Sequence, residues 1–480
     1  MNPDLGDYAP RAGFAYAVTP TIAIRGGYGT SFIHYTRAGS GDILPINAPN
    51  ALFVSVTQPK PTTIGSAGGT TVCPQGQPST SCYVTWENGF PTGLATATNF
   101  YPGTDNITYI PKDTKDSYVE SFFLSVQKSL AKNTLLDVAY IGNHGLKLQG
   151  FLNANQMNPS AGLTTVPGGV GWARPYPTWG TQLSATNFTN GDITEALNGF
   201  KSHFNALQVR YEQRFVQGLT LLNSFTWERA LDNASASLEG ITPSPQNANN
   251  LQADYGQSDY NLPVANVTSL VYDLPVGLGR QYAASANPAA NAIIGGWQIS
   301  AVNTAQGGTP FNLLYAANIA NQVSPQISAT YRGADEYRPN FIQGNPVTLC
   351  NSGHTCLSHQ AANGSINYVN LAAFTLPGTK DATGAILSPF GSAPRNIGRT
   401  PKFYETDLAL NKRFNTPMES LKVEFRAEAY NVFNHTNLYL PGNTSGSTLT
   451  GSLGSAPSGG GTITGTLEPR ILQFGLKILY

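Results

Sequence analysis

Two segments of this chain alternate apolar and polar residues over more than ten positions. In HFNALQVRYEQRF the apolar residues are Leu207, Val209, Tyr211 and Phe215, and in LKVEFRAEAYNVF they are Leu421, Val423, Phe425, Ala427, Ala429 and Phe433. A period of two indicates β-strands with one apolar face. Ordinary strands have about five or six residues, whereas a tilted strand that crosses a bilayer needs about 9–11. The length of both segments therefore favours strands that span a membrane.

The opposite face of these segments carries charged side chains. They are Arg210, Glu212 and Arg214 in the first segment, Glu424, Arg426 and Glu428 in the second, and Lys477 near the end of the chain. Because the interior of a membrane barrel is polar, we expect these residues to face the lumen. They either hydrogen-bond one another in a filled interior or line a path for a solute. We favour the first interpretation because lumen positions are polar in any plugged barrel.

The overall composition excludes several classes of protein. Charged residues make up 11% of the chain, against about 25% in ordinary soluble domains, and the net charge is zero. With no basic run, we expect no nucleic-acid partner. No stretch reaches the roughly 18 apolar residues of a transmembrane helix, and MNPDLGDYAPRAGFAY does not resemble a secretory signal. The sequence therefore predicts an all-β chain.

The same alternation predicts eleven strands along the chain. We place them near residues 10–18, 21–33, 117–130, 134–142, 202–215, 219–229, 264–274, 296–306, 403–414, 420–433 and 470–480. Their connections alternate between tight turns, such as TPT, AKN and VQG, and segments of tens of residues. This asymmetry is typical of an antiparallel transmembrane β-barrel with short periplasmic turns and long extracellular loops. A soluble β-sandwich or propeller is the alternative. Strand length, loop asymmetry and the charged faces described above argue against it.

The four cysteines form two pairs that are close in sequence. Cys73 lies near Cys82, and Cys350 lies near Cys356, in polar segments rich in Gly, Ser and Thr. Such local pairs favour disulfides in an oxidising compartment. In CNSGHTCLSHQ, His354 and His359 add two donors, so Zn²⁺ or Cu²⁺ binding by Cys350, His354, Cys356 and His359 is an alternative. We favour the disulfide because four donors in one short loop strain the geometry; free thiols are the third possibility.

The last strand, RILQFGLKILY, resembles the recognition signal of outer-membrane β-barrels, which the barrel-assembly machinery binds. Its apolar face carries Phe474, Leu476, Ile478 and the terminal Tyr480. Longer stretches resemble TonB-dependent outer-membrane transporters, in particular the Oar-like group with a carboxypeptidase-regulatory-like domain at the N-terminus. These stretches are YAPRAGFAYAVTPTIAIRGGYG, LLDVAYIGNHGLKL, FNALQVRYEQRFVQGLTLLNSFTW, IGGWQISAVNTAQGGTPF and VEFRAEAYNVFNHTNL. The resemblance extends from about residue 8 to the end of the chain.

The resemblance implies a larger protein with a signal peptide, a TonB box, a plug and a 22-stranded barrel. Residues 1–480 would then be the C-terminal portion, with about 11 of the 22 strands. Met1 would be an internal start, or the gene would be broken or partly sequenced. The signal peptide, the TonB box and the plug would be absent from this chain. The odd number of predicted strands agrees with a partial barrel, since bacterial single-chain barrels have an even number of strands and keep both chain ends in the periplasm.

The resemblance also implies the partners and the location. They are bacterial outer-membrane lipid, the barrel-assembly machinery, a small-molecule or oligosaccharide cargo such as a siderophore, and TonB–ExbB–ExbD, which would act through the missing plug. The first hypothesis is therefore part of a TonB-energised transporter. A plugless pore or surface adhesion protein is the second, and it requires a missed strand in 34–116 or 307–402. A secreted glycan-binding β-sandwich is the third.

Motifs for catalysis are not found in the sequence. It contains no HExxH, phosphate-binding loop or GxSxG element, and no spaced pair of catalytic carboxylates. We therefore expect no enzymatic activity and no cofactor.

Overall fold

The computed structural model describes most of the predicted strands and much of the connecting chain. The described residues are 6–33, 107–156, 193–216, 218–233, 245–315, 337–377, 390–415, 422–439, 446–452 and 454–479, with short pieces at 163–166, 169–172 and 175–176 and single residues at 158, 235, 388 and 441.

Eleven strands form one continuous sheet. They are β1 (Arg11–Thr19), β2 (Ile22–Ile33), β3 (Ser117–Ala131), β4 (Thr134–Asn153), β5 (Ile193–Val216), β6 (Leu219–Asp232), β7 (Val264–Asp273), β8 (Trp297–Gln306), β9 (Phe403–Asn415), β10 (Lys422–Tyr430) and β11 (Ile471–Leu479). Each strand pairs antiparallel with the next one in sequence. The prediction of an antiparallel all-β chain with eleven long strands is confirmed.

The tight turns lie where the sequence predicts them. Asn133, in the β3–β4 turn, and Gly218, in the β5–β6 turn, have positive φ angles of 66° and 81°. Both residue types tolerate this left-handed conformation, Gly best of all. At Gly218 a Cβ would also come within 2.9 Å of the Asp273 carbonyl oxygen, so a side chain is excluded there by neighbouring backbone.

The sheet register separates an apolar face from a polar face. Leu207 pairs with Trp227, and Leu476 pairs with Phe425, so the large apolar side chains of neighbouring strands lie side by side. On the opposite face Arg210 pairs with Ser224, and Glu424 pairs with Lys477. Cross-strand partners share a face, so a one-residue slip would place all of these charges among the apolar side chains.

Two strands are longer than the sequence predicts. The strand expected at 134–142 continues to Asn153, and the one expected at 202–215 begins at Ile193. The pairing continues through register shifts near Gly145 and Leu148. Polar residues such as His144 and Gln149 interrupt the alternation in this part, which is why periodicity places the ends too early.

The hydrophobic core of the described chain lies in the long connections, not in the sheet. Residues from 310–315, 337–376, 390–399 and 438–463 pack together, and we call this unit the outer cap. Its short strands are Pro310–Tyr315, Asn340–Phe341, Ile366–Asn367, Phe374–Thr375, Gly398–Arg399, Gly446–Leu449 and Thr462–Ile463. Its helical turns are Gly353–Cys356, Leu357–His359 and Leu371–Ala373. The missed strand required for a plugless barrel is not among the described residues of 307–402, where strands have at most six residues.

The remaining elements are short. Helix α1 (Pro288–Ile294) lies in the β7–β8 connection, a 3₁₀ turn spans Leu251–Asp254, and a hairpin pairs Leu163–Val166 with Gly169–Trp172. Ile107–Tyr109 and Gly256–Gln257 add short pairings to β5 and β6. In the described parts of the chain, no helix has the length and apolar character needed to cross a membrane.

Candidate transport surface and outer cap

The charged residues of β5 that were predicted to face the lumen lie together on the polar face. Arg210 Nη2 donates to Glu212 Oε2 at 3.0 Å, and Arg214 Nε donates to the other oxygen of the same carboxylate. The arginine side chains are 55% and 72% exposed. Exposed pairs of this kind contribute little to stability, so they orient the side chains more than they stabilise the fold.

A second charged group lies on β9, β10 and β11. Arg426 Nε is 3.4 Å from Glu424 Oε1, and its Nη1 is 3.8 Å from Glu428 Oε1. Arg413, which the sequence analysis did not single out, brings its Nε to 3.8 Å from Glu424 Oε2. Lys477 lies directly opposite Glu424 in the register, and therefore shares the face.

These two groups share one face but do not meet, because β6 to β8 lie between β5, which carries the first group, and β9, which begins the second. The polar face is thus an extended surface with two charged groups, each of mixed sign. That it lines the lumen stays a prediction.

The outer cap has a tightly packed apolar interior. Phe374 and Leu449 are fully buried, and Phe341 packs against Phe374 with ring centroids 5.7 Å apart. Tyr368 is 1% exposed and donates its hydroxyl hydrogen to the Arg399 carbonyl oxygen. Burial raises the pKa of the Tyr368 hydroxyl, so it remains a neutral donor. Because its chain segments come from the β8–β9 and β10–β11 connections, the cap joins two long loops.

A buried ion pair joins the outer cap to the connection between β6 and β7. Arg338 Nη1 lies 2.5 Å from Asp254 Oδ1, and the two side chains are 1% and 2% exposed. The Arg338 backbone N–H donates to Gln246 Oε1 at 2.7 Å. Burial raises the pKa of the Asp254 carboxyl, against the opposing effect of the Arg338 guanidinium. Neither charge has access to water, so each depends on the other.

A second buried arginine connects the cap to the polar face of the sheet. Arg395 donates through Nη2 to Asp232 Oδ1 and through Nη1 to Asp259 Oδ1 at 3.3 Å. Burial lowers the pKa of Arg395 to about 10, which leaves it charged at neutral pH. Asp232 pairs with Ser202 in the register and so lies on the face that carries Arg210. The cap is therefore attached to the outer end of the polar face.

Sequence reasoning missed these two arginines because they belong to no periodic segment. A usable signal was present, however. Only 11% of the residues are charged, and Arg338 and Arg395 each lie next to a proline inside the longest connection. A charge in such a segment needs a partner if the segment folds around it.

The cysteine pair of the cap is bonded in the structure. Cys350 and Cys356 form a disulfide with their Cα atoms 5.1 Å apart. His354 lies in the helical turn Gly353–Cys356, and His359 ends the next turn. Among the residues that the structure describes, no group of three or more His, Cys, Asp or Glu side chains is arranged to hold a metal ion. Cys73 and Cys82 lie outside the described residues.

The proposed assembly signal lies on the apolar face of β11. Phe474, Leu476 and Ile478 are 70%, 65% and 56% exposed, and Phe474 stacks on Phe425 with ring centroids 6.4 Å apart. Tyr480 lies outside the described residues. Its recognition by the assembly machinery stays a prediction.

The family model of the outer membrane beta barrel domain matches residues 1–473. The chain belongs to this family. The predicted resemblance to outer-membrane barrels and the location in the bacterial outer membrane are thereby confirmed. The long connections accordingly lie on the extracellular side, and we expect the apolar face of the sheet to contact lipid.

Several solved structures of transporters and receptors are similar to this chain. They include the outer membrane transporter YddB from Escherichia coli (10% identity, 96% of this chain and 38% of that chain, TM-score 0.40). Another is the FrpB iron transporter from Neisseria meningitidis (11% identity, 98% of this chain and 38% of that chain, TM-score 0.36). A third is BauA, the ferric preacinetobactin receptor from Acinetobacter baumannii (8% identity, 98% of this chain and 36% of that chain, TM-score 0.38). With TM-scores this low, they carry no part of the functional argument. The chain spans 36–38% of the length of these proteins. Among curated proteins, none matches.

Proposed function

We propose that this chain forms part of the wall and the outer cap of an active outer-membrane transporter. Its cargo is a solute too large or too scarce for passive diffusion, such as a siderophore or an oligosaccharide. TonB, ExbB and ExbD supply the energy through a plug that lies outside this sequence. In this proposal the chain itself has no catalytic role and binds no cofactor.

The attachment of the outer cap to the polar face carries the proposal. Arg395 holds the cap on Asp232, at the outer end of the face that also bears the two charged groups. A buried charge network at this place supports a mouth covered by ordered loops, with a polar surface beneath it. An adhesion protein needs no such attachment, and a passive pore works best with an open mouth.

The edges of the sheet support a wall that extends beyond these eleven strands. Among the described residues, β1 pairs only with β2, and β11 pairs only with β10. An open edge in lipid leaves unpaired backbone groups, at several kcal/mol each. We propose that these 480 residues are the C-terminal part of a 22-stranded barrel. The signal peptide, TonB box and plug then belong to the preceding part of the protein.

Uptake measurements in cells that carry the complete gene test this function. Labelled ferric siderophores and oligosaccharides are offered to wild-type and deletion strains, with and without a protonophore that removes the energy source of TonB. We expect at least one probe to enter only with the gene present and only without the protonophore. Uptake that requires the gene but resists the protonophore, together with single-channel conductance in planar bilayers, would establish a passive pore instead.

A further inference from the structure

A groove follows the outer rim of the lipid-facing wall. It consists of two adjoining cavities of about 740 and 460 Å³ that share Pro263 and Arg399. The first cavity lies over β4 to β6, and the second lies over β7 to β9. We call the two cavities together the rim groove.

The floor of the rim groove belongs to the apolar face. Tyr140, Leu207 and Trp227 lie side by side in one register row across β4, β5 and β6. Trp227 is 61% exposed and Tyr140 is 46% exposed, and Tyr404 lines the second cavity. Exposed Trp and Tyr side chains at the end of a barrel's apolar band mark the membrane–water interface. The floor therefore lies at the level where acyl chains meet headgroups.

The outer margin of the rim groove carries three cations. Arg229 lies two residues beyond Trp227 toward the extracellular end of β6, and Arg399 and Lys402 come from the segment that leads into β9. In the described part of the chain, none of the three has a carboxylate oxygen within 4 Å. Among the described residues, Arg399 donates to neutral oxygens, those of Gly308 at 2.9 Å and of the Gln257 side chain.

One carboxylate, that of Glu228, occurs among the residues that line the two cavities, and it already accepts a hydrogen bond. Glu228 lines the first cavity, and its Oε1 accepts from the Leu262 backbone N–H at 3.0 Å. Glu228 pairs with Ala206 in the register, on the polar face that carries Arg210. Burial lowers the pKa of Arg399, as expected for a half-buried cation without a counter-charge. The margin thus has an excess of positive charge.

We propose that the rim groove binds the phosphate-bearing headgroup of a lipid in the outer leaflet. Arg229, Arg399 and Lys402 would contact the phosphate oxygens, while the acyl chains lie along Leu207 and Trp227. Guanidinium and ammonium groups both suit phosphate, because each donates charge-assisted hydrogen bonds to its oxygens. The cargo of the transporter is a poor occupant, since the groove lies on the opposite face of the sheet from the charged groups proposed to line the lumen.

Lipid binding to the protein purified in a neutral detergent tests this site. The probe is diphosphorylated lipid A, followed by native mass spectrometry, with phosphatidylcholine as the zwitterionic comparison. In the test variant Arg229→Gln is combined with Lys402→Gln. The control combines Arg280→Gln with Lys422→Gln, two exposed residues outside the groove, so that both variants lose the same charge. We expect the test variant to bind lipid A about 10-fold or more weakly, and the control to differ from wild type less than about 2-fold.

Any of three results with these lipids and double variants would contradict the proposed lipid site. They are equal losses in both variants, binding of phosphatidylcholine as tight as that of lipid A, and displacement of lipid A by inorganic phosphate at equal concentration. The last result would show that free phosphate, not a lipid, is the ligand. The variant Arg229→Lys guards against a folding defect, because it keeps the charge and should retain most of the affinity. Weak binding by this variant and normal folding together would also contradict the proposal.

Discussion

At the scale of single residues, the structure places its most demanding electrostatics outside the membrane. Arg338 and Asp254 are buried together between the outer cap and the β6–β7 connection, and Arg395 is buried beside Asp232. The charged residues of the polar face are far more exposed, so their pairs are weak. A substitution in the cap should therefore have a larger effect than a similar one on the sheet.

We predict that Arg338→Met loosens the outer cap, because it leaves the Asp254 carboxylate buried without its partner. Losing one member of a buried pair costs about 3–5 kcal/mol. Hydrogen–deuterium exchange should become faster by more than about 100-fold at residues 337–342 and 245–257, while exchange in the eleven sheet strands stays unchanged. The control, Arg214→Met, breaks an exposed pair on the sheet and should leave exchange in the cap near wild type. Unchanged exchange in the cap would mean that its apolar core alone holds the cap in place. The double variant Arg338→Met with Asp254→Leu removes both buried charges, so it should restore part of the protection from exchange.

The residues that sequence could identify are those that obey a period. Alternation identified Arg210 and Glu424 as members of one polar face, and the register places them there. It could not identify the contact of Arg338 with Asp254, whose positions are 84 residues apart. Such a contact depends on how two loops pack, which local spacing does not encode.

At the scale of elements, the eleven sheet strands were predictable because a barrel wall repeats one local rule. Each strand must present apolar side chains to lipid and polar ones to the interior over about ten residues. The rule weakens in the last part of β4 and the first part of β5, and there the predicted strands were too short. It does not apply to the outer cap, whose strands of two to six residues contain too few alternations to detect.

We predict that the face of β11 on which a charge is placed decides whether the chain assembles. Phe474→Lys puts an ammonium group near the middle of the lipid-facing band, at a cost of about 2–4 kcal/mol. Gln473→Lys adds the same charge to the polar face of the same strand, opposite Glu428. We expect the first variant to reduce the amount of folded protein in the outer membrane severalfold and the second to leave it near wild type. Heat-modifiable electrophoretic mobility of membrane fractions measures both. Equal yields would contradict the assignment of the two faces.

At the scale of the whole molecule, the sheet is open among the described residues. Residues 11–19 of β1 are all exposed, and β11 is exposed on both faces over nearly its whole length. Two free edges in a bilayer leave on the order of ten unpaired backbone groups each, at several kcal/mol per group. This penalty exceeds the stability of about 5–15 kcal/mol that proteins have. The edges must therefore meet either each other or further strands.

Cysteine crosslinking in native outer membranes distinguishes these two arrangements, and we predict that β1 and β11 do not meet. The test pairs combine Phe474→Cys with Phe14→Cys, Tyr16→Cys or Val18→Cys in turn, because three positions cover the possible registers. The control combines Phe474→Cys with Ala427→Cys, residues that lie directly opposite each other on β11 and β10. Side chains in such opposed positions have Cβ atoms about 4.5–5.5 Å apart, so mild oxidation should link them readily. We expect the control pair to crosslink and all three test pairs to remain reduced, since the remaining strands of the barrel would separate the edges. Efficient crosslinking of any test pair would mean that these strands close a small barrel by themselves, and the proposal of a larger transporter wall would be wrong.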